Sequence, residues 1–90
     1  MKYKLRRTKS FKRSYKKLNL SDSEELNYID VIYKLANGIS LEIKYKDHPL
    51  KGSLEGFREC HIKPDLLLIY RIKDGYLELV EIGSHSELFE

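Results

Sequence analysis

The ninety residues contain no tryptophan, one cysteine, two prolines and a single methionine at the start. Cys60 alone closes no internal disulfide, so stability has to come from packing, and a reducing cytoplasm is the expected setting. No apolar run approaches the roughly 20 residues that a membrane-spanning helix needs, and 34% of the chain is charged. The basic opening Met1-Lys2-Tyr3-Lys4-Leu5-Arg6-Arg7 leads into no apolar stretch, so it does not read as a secretion signal. Glycine-rich phosphate loops, a GxSxG elbow and CxxC pairs are all missing. With no Pro/Gly-rich linker and no internal repeat, residues 1–90 read as one small domain.

What is present is lopsided. Residues 1–17 hold nine Lys or Arg and no acid, while the rest holds eight bases against fourteen acids. A basic block of that density suits a polyanion, because Lys and Arg displace condensed counterions from phosphates. The alternative is a solubilising helix face.

Local patterning divides the chain in two. Tyr3 and Leu5 alternate with charges, as in a short strand. Thr8 can cap a helix carrying Phe11, Tyr15 and Leu18 on one face, with Lys9, Lys12, Arg13, Lys16 and Lys17 around the rest. Ser21-Asp22-Ser23-Glu24 is a capping box, in which the Ser21 and Glu24 side chains satisfy each other's backbone amides. It opens a second helix whose apolar stripe is expected at Leu26, Ile29, Tyr33 and Ala36, widened by Ile32 and Leu35, and Gly38 is its expected stop. After residue 40 the period falls to two. Strands are expected over 57–63, 66–72 and 76–82, separated by the turns Pro64-Asp65 and Lys73-Asp74-Gly75. Residues 66–72 are nearly all apolar, as in a central strand buried on both faces. Ser84-His85-Ser86-Glu87 is a second capping box, which places Leu88 and Phe89 on a final helical turn. The order is β-α-α-β-β-β: an α+β fold with a small antiparallel sheet and two N-terminal helices against one face.

Chemistry has few carriers here. His48, His61 and His85 lie in three segments, each bounded by a turn or strand end, where side chains reach the rim of a sheet. Imidazole carries protons near neutral pH. Taken singly, each is as readily an exposed or structural histidine. The three histidines and Asp65 could in principle hold zinc, but no pair has the i, i+4 spacing of a helical site, so no metal and no other cofactor is expected. Cys60 alternates with Arg58 and Ile62 on the face opposite His61 and reads as a small buried strand residue rather than a nucleophile.

The segments Lys46-Asp47-His48-Pro49-Leu50-Lys51-Gly52, Phe57-Arg58-Glu59-Cys60-His61-Ile62-Lys63-Pro64-Asp65 and Gly83-Ser84-His85-Ser86-Glu87-Leu88-Phe89 together resemble YafQ-type toxins of the RelE/ParE superfamily in order and spacing. The likeness covers nearly the whole C-terminal half; the N-terminal half agrees in helical pattern only. The resemblance implies a RelE-like fold and the toxin of a type II toxin-antitoxin module, an endoribonuclease cutting mRNA in the ribosomal A site by attack of a ribose 2′-OH on the adjacent phosphate. It implies an active site of His48, His61, Asp65, His85 and Phe89, with Phe89 placed to stack on a base, and it leaves open which histidine is base and which acid. It implies as partners the ribosome, mRNA and a cognate antitoxin, in a complex of two toxins and two antitoxins, with operator DNA reached only through the antitoxin and no membrane. Lys46, Lys51, Arg58 and Lys63 join the helical bases Lys9, Lys12, Arg13, Lys16 and Lys17 as expected RNA contacts.

Two positions depart from the family pattern. Leu66 stands where a tryptophan is usual, and Glu81 stands four residues before the last histidine, where an arginine usually clamps phosphate. A carboxylate there repels the substrate. The competing expectation is therefore a weakened or non-enzymatic toxin of the ParE-like kind, acting by protein or nucleic-acid binding. A third is a nucleic-acid-binding module without toxicity.

Overall fold

The computed structural model describes residues 1–89. The chain runs β1 (Lys4–Arg7), α1 (Lys9–Lys17), α2 (Asp22–Ala36), a 3-10 turn at Ile43–Tyr45, β2 (His48–Pro49), a second 3-10 turn at Gly52–Leu54, β3 (Arg58–Lys63), β4 (Leu66–Lys73), β5 (Tyr76–Gly83) and α3 (His85–Phe89). The α+β class and the helix-then-strand order are as expected. The five strands lie in the order β1-β5-β4-β3-β2.

The expected purely antiparallel sheet is instead mixed, since β1 pairs parallel with β5 while the other three pairings are antiparallel. Hairpins dictate direction only between strands joined by short turns. β1 is separated from β5 by most of the chain, and its direction follows from the helix it feeds. The Thr8 amide donates to Leu79 O at 3.1 Å, and its hydroxyl donates to Val80 O at 2.8 Å. The same hydroxyl accepts the Phe11 amide at 3.0 Å, so one side chain caps α1 and anchors it to β5. Phe11 is fully buried, with Tyr15 and Leu18 half-buried against the core. Burial of such a ring contributes roughly 1.5–3 kcal/mol to holding the helix down.

The second helix begins with both halves of its capping box formed and ends in a Schellman arrangement. Gly38, at φ +69°, donates to Leu35 O, and Ile39 donates to Lys34 O at 2.8 Å. Its rotation differs from expectation. Val31, Leu35 and Ala36 are buried with Tyr28 and Ile32 beside them, whereas Leu26, Ile29 and Tyr33 are 66%, 53% and 63% exposed. Apolar residues occupy more than half of the circumference, so spacing alone does not select a face. A long-range bond helps to select it: Asn27 Nδ2 donates to Ile62 O at 2.9 Å.

Between β4 and β5, Asp74 at φ +53° and Gly75 at φ +81° form the expected two-residue turn, whose left-handed backbone matches the strand twist. Strand β4 is buried from Leu66 to Tyr70. Cys60, Ile62, Leu68, Tyr70, Leu79 and Ile82 face the helices and form the core with Phe11 and Val31. No described helix is long and apolar enough to cross a membrane.

Candidate active site

Pairing across the sheet puts His48 opposite Glu59, Glu59 opposite Ile69, and Ile69 opposite Glu81. One step along, His61 faces Leu67 and Leu67 faces Gly83. Cross-strand partners share a face, so both rows point away from the helices. His48, Glu59, His61 and Glu81 thus occupy the open side of the sheet, at the end from which α3 emerges.

Two histidines meet on one carboxylate. Glu59 Oε1 lies 3.4 Å from His48 Nε2 and 3.2 Å from His61 Nε2, and Glu59 is only 5% exposed. The imidazole centroids are 6.3 Å apart. Each ring's other nitrogen faces a carbonyl: His48 Nδ1 donates to Lys46 O at 2.6 Å and His61 Nδ1 to Pro64 O at 3.3 Å. A carbonyl only accepts, so Nδ1 carries a proton in both rings. Bonding from Nε2 to Glu59 then needs a further proton on the ring or on the carboxyl. The cluster is a hydrogen-bonded network built around a buried acceptor.

The His48 segment is tethered from the other side of the sheet. Tyr70 OH donates to Asp47 Oδ1 at 2.6 Å, and Arg58 Nε approaches the same oxygen at 3.3 Å. Burial, then the Asp47 carboxylate, holds the Tyr70 phenol well above its ordinary pKa, so it remains a donor. Lys46, at φ +50°, turns the chain so that its carbonyl reaches the His48 ring.

A second cluster surrounds α3. The Ser84 amide donates to Glu87 Oε1 at 2.8 Å, and the Glu87 amide donates to Ser84 Oγ at 3.2 Å, completing the expected capping box. Backbone and hydroxyl bonds from Ser84 hold the Glu87 carboxyl below its usual pKa. Asp65 Oδ1 accepts the His85 amide at 2.9 Å. A side chain at Gly83 would come within 3.1 Å of Glu87 Oε1, so the strand end must stay bare beneath the helix. The His85 and Phe89 rings stand 5.2 Å apart, both exposed, and the His85 ring makes no hydrogen bond among the described residues. One turn, Pro64-Asp65, serves both clusters: its carbonyl fixes His61 and its carboxylate fixes α3.

The five site residues expected from the sequence therefore lie at one end of the open face, as the pairs His48/His61 and His85/Phe89 with Asp65 between. Glu59 was missed. Its signal was available, since Glu59 and His61 are two apart on one strand and must share a face.

The expected RNA contacts separate. Lys9, Lys12, Arg13, Lys16 and Lys17 are all exposed on α1, and Lys17 is near enough to α3 for its charge to lower the Glu87 pKa. Lys46 and Lys51 are exposed, and Lys63 donates to Ser23 Oγ at 2.6 Å. Arg58 stands apart from the histidines, across from Tyr70 on the helix-facing side and bound to Asp47. Arg71 is committed to Glu78 at 2.7 Å. Glu81 is not a bare repelling charge, because it accepts the Ser10 hydroxyl near the start of α1 and the Ile82 amide. Burial pushes the Cys60 thiol up to about 12, which keeps it protonated and inert. Among the described residues no group of three His, Cys, Asp or Glu side chains is placed to hold a metal ion.

Comparison with known proteins identifies the family. Residues 3–90 match the family described as "Bacterial toxin of type II toxin-antitoxin system, YafQ". The mRNA interferase toxin YafQ of Escherichia coli K12 is 40% identical over 68 residues, covering 76% of this chain and 73% of that protein. A metal-bound toxin from Helicobacter pylori superposes with a TM-score of 0.82 at 45% identity, covering 97% of this chain and 99% of that one. YafQ in the E. coli DinJ-YafQ complex superposes with a TM-score of 0.78 at 31% identity, covering 98% and 99%. With the family matched over nearly its whole length and the fold shared with solved relatives, the chain belongs to the YafQ family of bacterial type II toxin-antitoxin toxins.

Proposed function

We propose that this chain is a ribosome-dependent endoribonuclease that cleaves mRNA by attack of a ribose 2′-OH on the adjacent phosphate. The 2′-oxygen forms a bond to phosphorus, the bond to the 5′-oxygen breaks, and the products are a 2′,3′-cyclic phosphate and a free 5′-hydroxyl. The reaction needs one group to take the 2′-OH proton and another to give a proton to the departing oxygen. The observation that carries this reading is the pairing of His48 and His61 on buried Glu59, beside the unbonded His85 ring.

The roles follow from where protons can sit. His85 has both ring nitrogens open and stands over solvent, which suits delivery of a proton to the leaving oxygen. The His48–Glu59–His61 cluster sets two imidazoles against one carboxylate, which suits removal of the 2′-OH proton by a neutral ring and, once that ring is protonated, supplies positive charge beside the phosphorane. Phe89, exposed next to His85, offers a surface on which a base can stack. Lysines on α1 grip ribosomal RNA. In the cell the partner is a cognate antitoxin, as in the DinJ-YafQ complexes of the E. coli relative, here in an assembly of two toxins and two antitoxins in the cytoplasm.

Primer extension on mRNA from cells expressing the chain without antitoxin tests this directly. Cuts at defined codon positions are expected, with loss of both cuts and growth arrest in His85→Ala. An intact, antitoxin-binding His85→Ala protein that still cuts would refute the assignment. Glu81 supports a second reading, a weakened or ParE-like toxin, because it puts a carboxylate in the same row as Glu59. Growth arrest with no cleavage in the same assay would select that reading.

A further inference from the structure

Beside His61, at the outer edge of β3, lies a cleft of about 440 Å³. It is bounded by Lys44, Tyr45 and Lys46 before β2 and by the end of β3, where the β3–β4 register slips between His61 and Lys63. Three lysines from two segments, Lys44, Lys46 and Lys63, converge on it, and no carboxylate lines it. Lys44 and Lys46 make no ion pair among the described residues, and the hydroxyl of Ser23 is the only bonded partner of Lys63 there. Asp30 and Glu42 lie near enough to Lys44, and Glu24 to Lys63, for their charges to be felt, but none of the three lines the cleft, so an anion bound there relieves the repulsion among the lysines. Pro64, exposed in the turn after β3, supplies an apolar surface, while Ile62 borders the cleft with its side chain buried in the core. Asn27 holds the back wall through its bond to Ile62 O, and its Oδ1 makes no bond among the described residues.

We propose that this cleft is a nucleotide subsite that holds the residue of single-stranded RNA next to the bond being cut. The proposal rests on the reading of the chain as a ribonuclease and deepens it by naming a second region that touches substrate. Lys44, Lys46 and Lys63 hold the backbone phosphate. The base lies over Pro64, where Asn27 Oδ1 accepts an N–H from its edge. A mere phosphate subsite would need the lysines but neither the apolar surface nor the amide. The volume lies within the range of small-molecule sites and exceeds what a lone phosphate requires. Because His61 borders the cleft, occupancy fixes the distance from the bound nucleotide to the proton-transferring cluster. Lys44 and Asn27 thereby become substrate-contacting residues that the spacing of the histidines did not reveal.

The test uses the whole protein and a fluorescein-labelled 2′-O-methyl RNA trinucleotide, which binds but cannot be cut. Lys44→Ala should weaken binding about four-fold near physiological salt and flatten the log–log salt slope by about 0.7, the counterion release expected of one single-strand phosphate. Lys44 is exposed, so the variant keeps its fold, and unchanged circular dichroism checks that. In isotope-labelled protein, the trinucleotide should shift the Lys44 and Lys63 amides together with the Pro64 ring carbons, whereas inorganic phosphate should shift the amides alone. Unchanged affinity and slope in Lys44→Ala would overturn the subsite. So would Pro64 ring shifts no larger with the trinucleotide than with phosphate, because the base would then lie elsewhere. The two proposals fail separately. Binding at the cleft with no RNA cleavage leaves the subsite standing without the nuclease, and cleavage indifferent to Lys44→Ala leaves the nuclease without the subsite.

Discussion

Glu59 carries the site's heaviest electrostatic load, a carboxylate 5% exposed with two imidazoles on one oxygen. Its neighbours define two residue-scale predictions. Tyr70→Phe removes the hydroxyl that ties Asp47, and with it His48, to the core. Loss of a hydrogen bond to a charged acceptor costs about 1.5–3 kcal/mol, so stability measured by denaturant unfolding should fall by that amount. Cleavage should fall at temperatures where the variant is fully folded, because His48 is then free to leave Glu59. Full activity in a folded Tyr70→Phe protein would show that His48 does not depend on this tether. At Glu81, replacement by Arg exchanges a repelling carboxylate for a phosphate donor in the row that contains Glu59 and His48. One such donor is commonly worth ~2.7–4 kcal/mol in transition-state stabilisation, and even part of that raises cleavage ten-fold or more. The substitution also breaks the bond to Ser10, a loss of about 1 kcal/mol in stability. Glu81→Gln should fall between. If Glu81→Arg cleaves more slowly than the parent, the Ser10–Glu81 bond matters more to the site than the missing clamp.

Among the elements, α3 is the one on whose order the proposed roles of His85 and Phe89 depend. It spans five residues, too short to persist on local propensity, and it is held by the Ser84–Glu87 box and by Asp65. The Glu87 carboxyl lies below its ordinary value of 4.5, chiefly through the Ser84 amide and then its hydroxyl. A depressed carboxyl stabilises the fold fully above its unfolded pKa, and that support is lost as pH falls through the lowered folded value. The α3 amides should therefore be protected from hydrogen exchange at pH 6 and lose protection below about pH 4.5, ahead of the β4 amides. Ser84→Ala should produce the same local opening at pH 6 and slow cleavage without unfolding the sheet. Protection of α3 that is unchanged by Ser84→Ala would show that Asp65 and Leu88 alone suffice.

At the scale of the whole molecule, charge is sorted by face. The bases of α1 lie exposed on the side from which Lys17 reaches α3, and Lys44, Lys46 and Lys63 ring the cleft beyond His61. The histidine row lies between these two basic regions. A strand of RNA drawn along that path crosses the site whichever region it meets first, which is electrostatic steering in a small domain. Reversing Lys12, Arg13 and Lys16 to Glu should weaken ribosome binding and flatten its salt dependence while leaving antitoxin-free folding intact. Every phosphate that α1 no longer neutralises takes close to one released ion out of the slope. A salt titration identical to that of the parent would show that α1 is merely solvated.

Much of this was legible before any coordinates, where the cause is local. Caps at Thr8, Ser21 and Ser84, the Gly38 stop and the Asp74-Gly75 turn each depend on residues within a few positions, so their chemistry can be read along the chain. Strand alternation put Cys60 and His61 on opposite faces for the same reason. The motifs around His48, His61 and His85 named the family and pointed to the candidate site, since spacing within a motif survives folding. What required tertiary structure has causes many residues apart. The parallel seating of β1 on β5 depends on Thr8 reaching Leu79 and Val80, and the rotation of α2 on Asn27 reaching Ile62. Arg58 proved to serve Asp47 on the far face, and Glu59 proved to be the carboxylate on which His48 and His61 meet. Periodicity tells which side of its own element a residue takes. Only the packing of one element against another decides what waits on that side, and so which of these charges reach a substrate.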